Sequence, residues 1–175
     1  PNFRIHKYSS LELPDGVIEG GEIRDDKVLG EKLLKIDKDL NLSYVKVSVP
    51  EEKSYLFQTD ISATDPVAIA QNIEFKLEEN VPLPVSEAVF YFDVLPMSVT
   101  GGKLRASVSV VPKVYIEKIV SLLRSSGLYP IAFEVVPKSI ARALLPSTLQ
   151  DSVMIVHIMN KKTGIYIVCG GVVCF

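Results

Sequence analysis

A chain of 175 residues, 47% hydrophobic and 23% charged, is long enough to bury a core as one or two domains. Its net charge of −2, with Lys and Arg spread along its length, argues against a nucleic-acid partner held by a basic face, and no acidic tail is present. The longest apolar stretches, residues 152–159 and 165–175, fall short of the roughly 20 apolar residues of a membrane helix, so no direct membrane insertion is expected, and the first residues carry no signal-peptide pattern.

Residues 3–13 read as a strand, ended by the turn signal Pro14, Asp15 and Gly16. Residues 17–23 read as a short strand broken by Gly20 and Gly21. Asp25 and Asp26 then sit where a helix N-terminus favours negative charge. Leu29, Leu33, Ile36 and Leu40 follow at spacings of four and three, which is one helical face. Tyr44–Val49 alternates, with Val45, Val47 and Val49 on one side as in a half-buried strand, and Pro50 punctuates it. Tyr55–Ile61 is the next strand.

The second helix begins with Thr64 as the cap, Asp65 in the first turn and Pro66 at the first helical position. Ile69, Ile73 and Leu77 form its apolar stripe, and it stops near Asn80, because Pro82 and Pro84 cannot continue a helical ladder. Glu74, Glu78 and Glu79, beside Lys76, read as a solvated face. Two strands, 88–95 and 104–111, are joined by a turn around Gly101 and Gly102. In the second, Leu104, Ala106, Val108 and Val110 alternate with Arg105, Ser107 and Ser109, so one face is solvated or partly covered. Pro112 opens a third helix with the stripe Ile116, Ile119, Val120 and Leu123, ended by Gly127. A strand at 131–135 and a short helix at 139–145 follow. Residues 152–158 and 164–168 read as a hairpin around residues 160–163, with 172–175 after it.

The fold class is α/β. The order strand–helix–strand–strand–helix–strand over roughly 54–136 suits a small α+β unit, two helices packed on one face of a sheet. The last strands reach Phe175 with no helix to cover them, so the chain is expected to be part of a longer one. Cys169 and Cys174 flank a Gly-Gly turn without a second pair to complete a zinc site, and read as reduced strand cysteines. His6 and His157 read as strand residues with no neighbouring ligand pattern. No Gly-x-Ser-x-Gly elbow and no Walker-type loop is present, so no catalytic residue is assigned.

Several segments, in order, resemble the PilM family of type IV pilus assembly proteins, which belongs to the actin-like superfamily with the cell-division protein FtsA. They are Leu13-Pro-Asp-Gly-Val-Ile-Glu-Gly-Gly-Glu-Ile23, Val45-Lys-Val-Ser-Val-Pro-Glu-Glu52, Ile73-Glu-Phe-Lys-Leu-Glu-Glu-Asn-Val-Pro-Leu-Pro84, Ser125-Ser-Gly-Leu-Tyr-Pro130 with Phe133-Glu134, Ser139-Ile-Ala-Arg-Ala-Leu144 and the hairpin over 153–168. The resemblance implies a fragment of an actin-like (ribonuclease H-like) fold. It implies part of a first subdomain at 1–60, an inserted α+β subdomain at 61–137 and the opening of a second lobe at 138–175. It also implies a cytoplasmic scaffold, peripheral to the inner membrane, that binds a short N-terminal cytoplasmic peptide of a PilN-like membrane protein. Tyr55, Phe57, Phe90 and Phe92 are the candidates to line that peptide's groove, by strand addition or groove capture. The alternatives are an actin-like ATPase, an FtsA-like membrane tether or a ferredoxin-like ligand module. Unpaired strand edges also invite a homodimer.

The superfamily holds ATP and Mg between two glycine-containing hairpins, whose backbone N–H groups meet the phosphates. The first, of the Asp-Ile-Gly-Ser-Ser kind, is expected before residue 1. The second is altered here. His157 stands where an aspartate is expected and Met159 where a glycine is expected, and an imidazole is a poor Mg ligand. Lys161, Lys162, Thr163 and Gly164 remain as candidate nucleotide contacts. No cofactor is therefore expected in this chain, while a longer parent is expected to take ATP and Mg if it restores the first hairpin.

Overall fold

In a computed structural model of the protein, the structure describes residues 4–62, 65–95, 103–160 and 162–175. Thr64, Gly101, Gly102 and Lys161, each given a role above, lie outside them. Residues 4–13 form no strand. They are almost wholly exposed and no strand pairs with them among the described residues, so their backbone groups have no ladder to join. His6 is accordingly not a strand residue.

The first regular element is a hairpin of β1 (Ile18–Glu19) and β2 (Glu22–Ile23). Gly20 and Gly21 turn it at φ 53° and 71°, the positive pair that a two-residue turn with matching twist requires. Helix α1 (Asp26–Leu40) follows, capped by Asp25, whose carboxylate accepts from the Val28 N–H at 3.0 Å. Strand β3 (Tyr44–Val49), β4 (Tyr55–Ile61) and α2 (Pro66–Asn80) come next. Asp65 is the cap of α2 rather than a first-turn residue, since it accepts from both Val67 and Ala68 N–H groups. Then come β5 (Ala88–Val94), β6 (Leu104–Pro112), α3 (Lys113–Ser125), β7 (Tyr129–Val135) and α4 (Val136–Leu144). The chain ends in β8 (Ser152–Ile158), β9 (Thr163–Cys169) and β10 (Val172–Val173).

Three layered units result. The antiparallel sheet β4-β6-β5 lays Ala106, Val108 and Val110 against Ile69, Ile73 and Leu77 of α2, which are 6%, 0% and 0% exposed. Each such side chain, taken out of water, is worth about 1.5–3 kcal/mol. The expected second helix of this unit goes elsewhere. β7 does not join the central sheet but runs parallel to β3, with a register shift between Val45 and Lys46, and α3 packs with α1 over that pair. The reason lies in the side chains. Ile119, Leu123 and Leu128 complete a core with Leu29, Leu33, Val45, Val47 and Phe133 that the central sheet does not share. The third unit is the sheet β10-β9-β8 with Ala141 and Ile140 of α4 on its inner face. Its outer face leaves Met154, Val156, Ile158 and Ile165 exposed. Val49, Val111 and Val135 form a small core where the ends of β3, β6 and β7 meet.

Candidate functional site

A cavity of about 370 Å³ opens over that junction. One wall is the outer face of β5. Register places Val89 opposite Val111, Tyr91 opposite Ser109 and Asp93 opposite Ser107, so the three share the face that looks away from α2. β5 pairs only with β6, and its other edge is unpaired among the described strands. The opposite wall is Phe133, Glu134 and Val135 at the end of β7 and Lys138 of α4, while Val49, Val111 and Ile116 make the floor. The cavity is thus apolar below and polar at its rim, with an exposed aromatic, Tyr91, at 61%.

The rim charges are all engaged. Lys138 Nζ lies 2.5 Å from Asp93 Oδ2 and 4.0 Å from the centre of the Tyr91 ring. Burial pushes the Glu134 carboxyl up. The Arg142 guanidinium, which donates to it at 2.8 and 3.0 Å, outweighs that and, with Ser139, holds it below the usual carboxylate range.

The four aromatics expected to line a groove stand on the other face of the same sheet. Tyr55 and Phe90 pair with Val110, and Phe57 and Phe92 with Val108, which turns all four toward α2. Phe57, Phe90 and Phe92 pack into the central core. Tyr55 remains 37% exposed at its margin, and Phe90 alone also reaches the cavity. The open positions are their immediate neighbours, Val89 and Tyr91. A sequence of alternating apolar residues on both faces gives no cue as to which face a helix covers, and a one-residue slip exchanges them.

The second candidate region is the β8–β9 hairpin. His157 sits opposite Gly164 and Ile158 opposite Thr163, and the Met159 N–H donates to the Lys162 carbonyl at 2.9 Å. Lys162 is not free for an anion. Its Nζ lies 2.6 Å from Glu52 and 3.7 Å from Glu51, both in the 3₁₀ turn Glu51–Lys53 that follows β3. Its hydrogen bond to Glu52 raises the Lys162 pKa and lowers that of Glu52. Gly164 is equally committed. Tyr166, two residues on and on the same face, folds its ring across the glycine, so that a Cβ there would overlap the phenol. The Tyr166 hydroxyl donates to Glu51 at 2.7 Å. Burial, then that bond and the Glu51 and Glu52 charges, push its pKa up to about 12. Thr163 is exposed. His157 Nδ1 is buried without a hydrogen-bond partner. A magnesium–phosphate group does not fit these residues: the lysine is clasped by two carboxylates, the glycine's open side is filled by a phenol, and the acid's place holds an imidazole. Cys169 and Cys174 are free thiols, the latter pushed up to about 12 by burial and by its neighbour Cys169.

No protein-family model matches the sequence, and no curated protein does. Solved structures do match. One is a chain of a PilM–PilN type IV pilus biogenesis complex, at 18% identity and TM-score 0.81, covering 95% of this chain and 52% of that one. Another is the cytoplasmic domain of EpsL, an inner-membrane component of the type II secretion system of Vibrio cholerae, at 14% identity and TM-score 0.57, covering 82% of this chain and 54% of that one. The likeness shows the fold: the chain has the mixed α/β fold of these structures, and it spans about half the length of each.

Proposed function

We propose that this chain is the peptide-binding part of a scaffold in a pilus or secretion assembly at the inner membrane. Its ligand is a short, extended N-terminal peptide from the cytoplasmic side of a PilN-like membrane protein. The observation that carries the reading is the cavity over Val49, Val111 and Val135, walled by the outer face of β5 with Val89 and Tyr91 open, a strand whose other edge is unpaired among the described strands. An extended peptide can add to such an edge through its main chain and set alternate apolar side chains into the cavity. The solved match in a PilM–PilN complex supports the same partner class. No helix among the described residues is long and apolar enough to cross a membrane, which fits attachment to the membrane through a partner. The proposal contains no catalytic step.

The test is calorimetric titration with a synthetic N-terminal cytoplasmic peptide of a PilN-like protein from the same genome. Saturable binding is expected, tighter than about 100 μM, or roughly 5.5 kcal/mol. Tyr91→Ser is expected to weaken it about tenfold, since a central aromatic anchor costs on the order of 1–2 kcal/mol when truncated. Absence of binding by the folded chain ends the proposal, and unchanged affinity in Tyr91→Ser moves the site off this groove.

A further inference from the structure

Lys138 joins the two walls of the cavity. It leaves the first turns of α4 and ends over β5, where its ammonium meets the Asp93 carboxylate and the face of the Tyr91 ring together. Asp93 and Lys138 are only 31% and 27% exposed, so the pair is less screened than an ordinary surface contact. The ring face that Lys138 covers is taken from any incoming side chain, on a wall whose open side chains are Tyr91 and Val89. Lysine and ligand cannot both occupy it.

We infer that Lys138 is a latch across this groove, pinned to Asp93 and Tyr91, that the incoming chain must displace. The inference rests on the groove being the peptide site, as proposed above. It gives the interaction an unusual sign. Salt weakens most complexes that charges hold together, whereas here it weakens the Lys138–Asp93 latch and favours binding.

Two measurements test it. Hydrogen exchange without any ligand reads the latch by itself. Lys138→Met, which keeps the stem and removes the charge, is expected to speed exchange of the Ala88–Val94 amides bonded to β6. Raising NaCl to about 0.5 M is expected to do the same in the unaltered chain and not in the variant. Equal protection in the two chains overturns the latch. Titration with the peptide named above is expected to give Lys138→Met roughly three- to tenfold tighter binding than the unaltered chain, from the ion pair and the ring contact it no longer breaks. Equal or weaker binding by the folded variant also overturns it. If neither chain binds the peptide, the peptide proposal fails, and the exchange comparison still decides whether Lys138 holds the two walls together.

Discussion

Gly164 and Tyr166 show how a glycine that reads as a phosphate contact serves packing instead. Residues two apart on a strand share a face, and a glycine leaves bare backbone there for the next aromatic to cover. Tyr166 uses that space to bring its hydroxyl to Glu51, so the hairpin is tied to the turn after β3 through a ring that lies over Gly164. Gly164→Ala is therefore expected to destabilise the chain by about 1–3 kcal/mol, the usual range for overpacking. The mechanism makes a sharper demand. In a Tyr166→Ala background the same substitution loses its steric cost, so a double-mutant cycle by urea denaturation should show strong coupling. An equal penalty in both backgrounds would mean that the Tyr166 ring is not what the Cβ meets. The glycine and its threonine neighbour were visible in the sequence. What fills the glycine's open side was not, because that depends on Tyr166 reaching Glu51, 115 positions before it.

At the scale of elements, the hairpin and the turn at Glu51–Lys53 are held by Lys162, Glu51 and Glu52. Glu52 has a folded-state pKa below its ordinary 4.5, so its contribution is fully present above that value and is lost as pH falls through the lowered one. Lys162 is raised above its ordinary 10.5, so its contribution is present below that value and is lost as pH rises through the raised one. The clasp is thus complete between these limits. Lys162→Met is expected to cost a few tenths to about 1 kcal/mol near neutral pH, as half-exposed pairs do. That difference from the unaltered chain should shrink as pH drops below 4.5, measured by denaturation at a series of pH values. A difference that stays constant down to low pH would show that Lys162 acts through packing of its stem and not its charge. Element by element, the sequence was most informative where local chemistry decides. The acidic pair at 25 and 26 at a helix N-terminus, the Ile69, Ile73 and Leu77 stripe and the Gly127 terminator, at φ 81°, stand where charge, periodicity and turn rules put them. It misled where a partner element decides. Residues 4–13 have strand composition and nothing to pair with among the described residues, and β7 leaves its sequence neighbours for β3.

At the scale of the whole molecule, one of the polar contacts that join the units is buried. Ser107 is on the face of β6 that alternation marked as solvated or partly covered, yet it is only 3% exposed because β10 lies across it. Its hydroxyl donates to the Val173 carbonyl at 2.6 Å, while the nearby Gln58 amide donates to the Cys174 carbonyl at 2.8 Å in a more exposed setting. The two bonds differ in consequence. Removing the exposed donor lets water take its place, whereas Ser107→Ala leaves the Val173 carbonyl buried and unpaired, at about 1–3 kcal/mol. Ser107→Ala is therefore expected to lower the urea midpoint clearly, and Gln58→Ala to change it by less than about 1 kcal/mol. Because this bond links the third sheet to the central one, its loss should also let β8, β9 and β10 open separately. That appears as a smaller denaturant slope and as faster amide exchange confined to residues 152–175. If Ser107→Ala leaves slope and exchange unchanged, the two sheets are held together by the apolar contacts of Leu56 with the α4 core, and the serine is incidental to the joint.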